Sequence, residues 1–206
     1  YNLRNTARIH RYATKYLPKD RLPKCNNIEG EPIWISFYDD ERSMKKLLRR
    51  YLQKLIVKEG ISVKDIIILT PKRIEKTVLK VDEQLGGFKL TSVEKNEPER
   101  IRFTSIPKFR GMERQVVILV ELDESVREME SNFYLGTSRA KTKLIILASN
   151  KLSDPIKARL SDGCEEFLGF EKSSKKLLYE EKILTLLTGE KRLTPDHLIL
   201  SNQFGI

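Results

Sequence analysis

Three short aliphatic runs decide the fold: IIIL at residues 66–69, VVILV at residues 116–120 and LIIL at residues 144–147. Each run is continuous rather than alternating, which is the pattern of a strand buried on both faces. Such strands occur in parallel sheets that are covered by helices on both sides. The three runs therefore predict an α/β domain with a mostly parallel sheet.

Between these runs the hydrophobic period changes to that of helices. An apolar stripe with three-and-four spacing predicts a helix over Ser43–Val57, with Asp39 or Asp40 as its cap, after a strand over Ile33–Phe37. The other predicted helices are one from about Thr6, one over Lys72–Gln84 and one over Met129–Lys141; the other predicted strands are Phe88–Thr91, Ile101–Ser105, Gln115–Glu121 and Leu144–Ala148. This alternation predicts a doubly wound sheet, with ligands at the carboxyl ends of its strands.

The length of 206 residues suits one α/β domain with an appendage. We place the domain at residues 1–150 and a helical extension of unknown role at residues 151–206. Because the sequence opens at Tyr1 without a methionine or a signal peptide, we expect it to be part of a longer protein.

Composition excludes several classes of protein. No apolar run approaches the ~20 residues that span a bilayer, so an integral membrane protein is excluded. Cys25 and Cys164 cannot form a disulfide framework or a zinc site, and we expect reduced thiols in a cytoplasmic protein. There is no GxxxxGK[ST] motif, so the chain has no P-loop. His10 and His197 have no nucleophile near them in sequence and are predicted to lie on the surface.

The charge favours a polyanionic partner. The net charge is +10, and the first 24 residues carry seven basic side chains against the single acid Asp20. Nucleic acid or nucleotide phosphate fits this balance. A solvated basic helix fits it equally well.

Two groups of residues could contact phosphate. Lys108, Arg110 and Gly111 lie in a loop between two strands, and we expect this loop at the carboxyl edge of the sheet, where glycine permits close approach to phosphate or ribose. Arg139 lies on a helix that leads into a buried strand, among small residues, and its guanidinium matches phosphate oxygens. The alternative is that Arg139 stabilises the carboxyl end of its helix. Asp123 and Glu124 follow a strand as a Walker B acid would, but without a P-loop they are interpreted as loop acids.

Four segments resemble the UvrD/Rep-like superfamily 1 helicases. YLGTSRAKTKLIIL (residues 134–147) is similar to motif VI, and TSIPKFRGMERQVVIL (residues 104–119) is similar to motif V. NLRNTARI (residues 2–9) resembles motif IV, and VKDIIILTPKR (residues 63–73) resembles an intervening strand. The order is that of the family, so the chain resembles its second, C-terminal RecA-like domain, which has no P-loop of its own.

The resemblance implies roles for the residues that match motif positions. Arg139 would be the arginine finger, and Arg4 would be a second arginine near the γ-phosphate. Glu113 would approach the ribose, and Gly111 with Arg110 would line the nucleotide and nucleic-acid edge of motif V.

The resemblance also implies contacts to nucleic acid from Ser105 and Lys108. Motif V departs from the family here, since Pro107 stands where histidine is common, Ser105 where threonine is usual and Arg110 where lysine is usual. The loss of the histidine removes a donor for nucleic acid. The segment between Pro71 and Ile101 is too short for a large inserted domain, which favours a compact translocase over a powerful unwinding enzyme.

The implied cofactors are ATP and Mg²⁺, held mainly by an N-terminal RecA-like domain that would be the partner of this one. The implied substrate is single-stranded nucleic acid, with DNA favoured, and no membrane is involved. The chain alone would be inactive in ATP hydrolysis. Two other functions remain open: a non-catalytic nucleic-acid-binding module with a degenerate RecA-like fold and a basic first helix, and an α/β interaction scaffold.

Overall fold

The computed structural model describes residues 5–17, 28–93 and 99–166, and the first compact unit of the chain is Tyr1–Glu166. In this part of the chain eight strands form one sheet in the order β3-β4-β5-β2-β6-β7-β1-β8. They are β1 (Ile33–Tyr38), β2 (Ile66–Thr70), β3 (Gln84–Leu85), β4 (Phe88–Thr91), β5 (Arg100–Ser105), β6 (Arg114–Leu122), β7 (Ala140–Ser149) and β8 (Cys164–Glu166). Only the β3–β4 pair among them is antiparallel. The predicted α/β fold with a mostly parallel sheet is confirmed.

The three aliphatic runs form the centre of the sheet. They lie in β2, β6 and β7, and every residue of the three runs is buried. Parallel strands covered on both faces need apolar side chains in both directions, so the continuous pattern follows from the architecture.

Helices cover both faces of the sheet. One face packs against α1 (Ala7–Thr14) and α3 (Met129–Thr137), and Phe133 of α3 is fully buried in this core. On the opposite face, the hydroxyl groups of Ser36 and of Tyr51 in α2 (Glu41–Gln53) form a buried hydrogen bond of 2.9 Å. The sheet thus has a helical layer on each side, as the doubly wound pattern predicts.

The start of α2 is fixed by a capping box. The Asp40 carboxylate accepts a hydrogen bond from the Ser43 amide at 2.7 Å, and the Ser43 hydroxyl accepts one from the Asp40 amide at 3.0 Å. Asp40 is therefore the cap, whereas Asp39 accepts a bond from the side chain of Asn150 instead. Beyond Gln53 a π-helical turn, Lys54–Lys58, continues the helix close to its predicted end.

The predicted helix over Lys72–Gln84 is wrong. Residues 71–83 form turns, and β3 begins at Gln84. The buried carboxylate of Glu121 accepts hydrogen bonds from the Thr77 hydroxyl and from the Val78 amide at 3.0 Å. This long-range acceptor takes an amide that a helix would have used within itself.

The elements near the end of the described chain also differ from prediction. α3 ends at Thr137 rather than Lys141, and β7 begins at Ala140, earlier than the predicted strand. After α4 (Asp154–Ser161), β8 adds an unpredicted strand beside β1. The rest of the predicted helical extension lies outside the described residues. Within the described part of the chain, no helix is both long enough and apolar enough to cross a membrane.

His10 is not a surface residue. It is 5% exposed and is one of the buried residues of α1, so its predicted surface position is wrong. His197, Cys25 and Arg4 lie outside the described residues. Cys164 is a free thiol, and burial raises its pKa to about 11, which keeps it protonated at neutral pH.

Candidate functional site

The residues that match motifs V and VI meet at the amino edge of the sheet. Glu113 immediately precedes β6, and Arg139 immediately precedes β7. These two strands are adjacent and parallel, with Arg114 opposite Ala140. The Arg114 amide donates a hydrogen bond of 3.1 Å to the Arg139 carbonyl oxygen. Two segments that are distant in sequence are therefore joined directly beside the candidate residues.

The expectation that Gly111 lies at the carboxyl edge is wrong. β5 ends at the carboxyl edge with Ser105, and residues 106–113 then cross the sheet to the amino end of β6. The crossing needs no α-helix, because Ile106 and Phe109 bury their side chains against the sheet directly. Gly111 comes late in this crossing, with φ of +84° and no neighbouring atom within 4 Å of the position of an added Cβ. Its open, left-handed backbone leaves room for a ligand at the amino edge.

The side chain of Arg139 is half-buried and is held by backbone carbonyl groups. Its Nε donates to the Leu135 carbonyl oxygen at 3.1 Å, and its Nη1 donates to the Met112 carbonyl oxygen at 3.5 Å. The first bond engages a carbonyl group in the last turn of α3, as the alternative interpretation of Arg139 predicts. The same bonds fix the guanidinium at the amino edge, so the structural role and a role in phosphate binding are compatible.

Packing explains why Gly136, three residues before Arg139, is small. A Cβ on Gly136 would lie 2.8 Å from Leu119 Cδ2 and 3.2 Å from Ile106 Cδ1. Any larger residue would push α3 away from β6 and from the crossing segment. Gly136 is therefore required by the close approach of α3 to the sheet, rather than by space around the arginine.

Charged side chains of both signs line this amino edge. Glu113 forms an ion pair of 2.7 Å with Lys141, and both side chains are about one-third exposed. Arg110 is exposed on the preceding loop. An ion pair at this level of exposure is weak, so Glu113 can exchange Lys141 for another hydrogen-bond donor at little cost.

The amino end of α1 is attached to the same edge. The Asn5 side chain donates to the Ser138 carbonyl oxygen at 3.1 Å and also to the Ala140 carbonyl oxygen. Asn5 is 3% exposed, so these bonds are shielded from water. Asn5 follows the predicted second arginine, Arg4, in the sequence. The segment that resembles motif IV is thereby anchored on either side of Arg139.

The predicted nucleic-acid residues lie near the carboxyl end of β5. Lys108 is exposed, whereas Ser105 is 6% exposed and pairs with Thr70 of β2. An open cavity of about 590 Å³ here is lined by Ile74, Glu75, Ser92, Arg102, Thr104 and Lys108. Because Arg102 and Lys108 outnumber the single carboxylate of Glu75 in this lining, the cavity suits an anionic chain. Lys108 lines this cavity but Ser105 does not.

Glu121 is a structurally important residue that sequence reasoning missed. It is 2% exposed, has φ of +57° and accepts a hydrogen bond of 2.6 Å from the Thr70 hydroxyl. Lys72 Nζ is 3.8 Å from one of its oxygens. With its bonds to Thr77 and Val78, this carboxylate holds the segment that follows β2. The sequence gives no sign that a glutamate at the end of an aliphatic strand adopts a left-handed backbone conformation.

The acids that follow β6 lie in a loop. Asp123 forms an ion pair of 2.7 Å with Lys72 and accepts a bond from the Ser125 amide at 3.0 Å. Burial acts to raise its pKa, but the hydrogen bonds from Lys72 and Ser125 outweigh burial and lower it. Glu124 is exposed. Among the described residues, no group of three or more His, Cys, Asp or Glu side chains could hold a metal ion.

The basic side chains of α1 are engaged in ion pairs. Arg8 lies 3.4 Å from a carboxylate oxygen of Glu29, and Arg11 binds the same oxygen. Lys15 lies 3.5 Å from the carboxylate of Asp162. The described part of the basic N-terminal stretch is therefore largely neutralised by acids that follow it in the chain.

Comparison with known proteins identifies a similar fold. No protein-family model and no curated protein matches the sequence. Among solved structures, the chain is similar to the crystal structure of the C-terminal domain of a possible DNA helicase from Lactobacillus plantarum WCFS1, with a TM-score of 0.53 and 16% sequence identity. The match covers 77% of this chain and 94% of that one. At this identity the similarity shows that the two share a fold.

Proposed function

We propose that this chain is the second RecA-like domain of an ATP-dependent superfamily 1 helicase or translocase of the UvrD/Rep-like kind. Its amino edge would contribute Arg139 to a triphosphate held by an N-terminal RecA-like domain. Its carboxyl edge would form part of the path of single-stranded DNA. The order of the four motif-like segments and the fold shared with the C-terminal domain of a possible DNA helicase support this proposal.

The observation that carries the proposal is the pairing of Arg114 with Ala140. It brings Glu113 of the motif V segment and Arg139 of the motif VI segment to the same place on one edge of the sheet. Each of the two side chains also has a local partner, the Leu135 carbonyl group for Arg139 and Lys141 for Glu113. A nucleotide gives a reason for both, since it offers ribose hydroxyl groups and phosphate oxygens.

In this proposal Arg139 stabilises negative charge on the phosphoryl group. The hydrogen bond from Nε to the Leu135 carbonyl orients the planar guanidinium before a ligand arrives, so little conformational entropy is lost on binding. Glu113 would accept a hydrogen bond from ribose after its exposed ion pair with Lys141 opens. Gly111 would allow the backbone to approach the nucleotide closely.

The described residues fit one half of a nucleotide site. They offer cations at the amino edge, Arg139 and Lys141. In this proposal Mg²⁺ and most of the triphosphate would be held by the other RecA-like domain. When bound there, ATP would supply the phosphoryl transfer whose energy drives opening and closing of the two domains.

The carboxyl edge would contribute to the path of the nucleic acid. Lys108 and Arg102 line the open cavity beside β5, together with Thr104. Ser105 is buried next to this cavity, so its proposed role is to position the strand end rather than to bind directly. Contacts of this type are electrostatic, and binding is expected to weaken as the salt concentration rises.

The experiment that tests the proposal is the Arg139→Ala substitution in the protein that includes the ATP-binding domain. We expect kcat for ATP hydrolysis to fall about a thousand-fold or more, the range for arginine fingers, with a much smaller change in KM. Arg139→Lys keeps the charge but loses the planar fork, and we expect it to recover only a small part of the rate. Arg127→Ala, an exposed arginine before α3, is the matched control and should retain full turnover.

Thermal unfolding of each variant separates catalysis from stability, because Arg139 also bonds to the end of α3. Loss of turnover in a variant whose Tm matches that of the wild type supports the proposal. Turnover of Arg139→Ala equal to that of Arg127→Ala would remove Arg139 from the mechanism.

A further inference from the structure

A second basic surface lies on α2, outside the motif-like segments discussed above. Arg42, Lys46 and Arg49 are exposed on one side of this helix, at spacings of four and three residues. Residues four and three apart share a helix face, so the three cations form one row of about 10 Å along the helix axis. Within the described part of the chain, none of the three forms an ion pair.

This row borders an open groove of about 610 Å³ between α2 and the turn that joins β3 to β4. Its lining includes Arg42, Lys46 and Arg49 on the helix and Gln84, Leu85 and Gly86 on the turn. Among the described residues of the lining, Asp40 is the only acid, and its carboxylate accepts a hydrogen bond from the Ser43 amide. Lys45 also lines the groove, and its Nζ lies 2.9 Å from Glu41 and 2.8 Å from Glu83. The described lining therefore carries four cations against one carboxylate.

The wall opposite α2 is built for close contact with the helix. Gly86 has φ of +64°, and a Cβ on it would lie 2.7 Å from Cγ of Arg49. The stem of Arg49 is thus packed against the glycine turn, which restricts the rotamers of this long side chain. A partly ordered arginine loses less entropy when it binds a phosphate than a fully flexible one does.

The composition of the groove identifies the chemistry of its partner. Among the described lining residues Leu85 is the only apolar side chain, and it is 7% exposed. Protein interfaces rely on aromatic and apolar side chains at their centre, which the described lining does not offer. Single-stranded nucleic acid is bound with aromatic side chains that stack on bases, and no aromatic ring is found among the lining residues that the structure describes. A row of cations without stacking residues suits the phosphate backbone of a duplex.

We infer that the groove between α2 and the β3–β4 turn binds the phosphate backbone of double-stranded nucleic acid, through Arg42, Lys46 and Arg49. The inference rests on the proposed function in that it assumes a protein that works on nucleic acid. It adds a surface that is separate from the cavity beside β5, so that a duplex and its single-stranded extension would contact different parts of the domain.

The test compares two triple variants of the chain that lose the same charge. The first is Arg42→Gln, Lys46→Gln and Arg49→Gln; the control is Lys64→Gln, Arg127→Gln and Lys157→Gln, whose side chains lie outside the groove. The probes are a blunt-ended DNA duplex of two helical turns and a single strand of the same length. Dissociation constants are measured by fluorescence anisotropy over a range of salt concentrations.

We expect the groove variant to bind the duplex about tenfold or more weakly than the control variant does at low salt. The plot of log affinity against log salt concentration has a negative slope. Its magnitude should decrease by about two to three, because three phosphate contacts are lost. Affinity for the single strand should match that of the control. Equal duplex affinities of the two variants would overturn the inference, as would a loss confined to the single strand. Either result would then leave an acidic protein or a single strand as the occupant.

The two proposals fail separately. If Arg139→Ala leaves ATP turnover unchanged while the groove variant loses duplex binding, the motor function is wrong and the duplex surface stands. If turnover collapses while the groove variant binds duplex as the control does, the motor function stands and the duplex surface is wrong.

Discussion

Helices α1 and α2 both carry basic side chains on their exposed sides, but only those of α2 are available to a partner. Arg8 and Arg11 of α1 share the carboxylate of Glu29. In the described part of the chain, Arg42 and Lys46 of α2 form no ion pair. The difference teaches that a run of basic residues in a sequence does not locate a polyanion site until its acidic neighbours in space are known.

The two helices also differ at their amino ends. The capping box of Asp40 and Ser43 satisfies the first turn of α2. At the start of α1, the hydroxyl of Thr6 is buried and has no hydrogen-bond partner among the described residues. α1 is thus held by burial and by its attachment to the amino edge of the sheet, whereas α2 also has a well-formed local start. Because α1 is held mainly as part of the core, this weakens the alternative function in which the basic first helix binds nucleic acid.

The largest expected effect tests whether α1 is mainly a core element. Ile9 is fully buried and belongs to the core on one face of the sheet. We expect Ile9→Ala to lower the free energy of unfolding by about 2–5 kcal/mol, through lost burial and the cavity left behind. Urea denaturation monitored by circular dichroism measures this change.

The matched control for this prediction is Arg11→Ala on the exposed side of α1. We expect a change within about 0.5 kcal/mol, because its ion pair with Glu29 is exposed to solvent. If Ile9→Ala and Arg11→Ala had similar effects, α1 would not be part of the core, and the contrast with α2 would lose its basis.

The fold was predictable because its strongest determinants are local. Continuous aliphatic runs identify β2, β6 and β7, and an apolar stripe after an acidic cap identifies α2. The turns between residues 71 and 83 were missed because Glu121, far along the chain, competes for the Val78 amide. A helical pattern cannot reveal an acceptor that only the folded sheet brings near.

The roles of the candidate site residues stay a prediction, and only their places in the fold can be compared with the sequence. The motif resemblance singles out Arg139 and Glu113, and the pairing of β6 with β7 brings them together. The edge of Gly111 was predicted incorrectly, because residues 106–113 cross from the carboxyl end of β5 to the amino end of β6 with only the short 3₁₀ helix Pro107–Phe109. The ion pairs of α1 were missed for a related reason, since Asp162 reaches Lys15 only after the chain returns through α4.

A smaller effect should distinguish the two helix starts. Thr6→Val keeps the branched shape that Gly30 packs against and removes the hydroxyl that is buried without a partner. We expect stability to rise by about 1 kcal/mol, because an unsatisfied hydroxyl is costly to bury. Asp40→Ala, which removes the cap of α2, should lower stability instead. A lower Tm for Thr6→Val would show that the hydroxyl is hydrogen-bonded in solution.

The smallest expected effect would turn α1 into a surface resembling that of α2. The hydrogen bond from Arg11 lowers the pKa of Glu29, so this carboxylate is ionised at neutral pH and its pairs are lost only as the pH falls through that lowered pKa. Glu29→Gln removes this charge at neutral pH and leaves Arg11 able to bind phosphate, whereas Arg8 keeps Glu165 at 3.9 Å. We expect duplex affinity at low salt to rise about two- to threefold, the range of an exposed ion pair, and the gain to vanish at high salt. Unchanged affinity at low salt would mean that ion pairing is not what keeps α1 from binding nucleic acid.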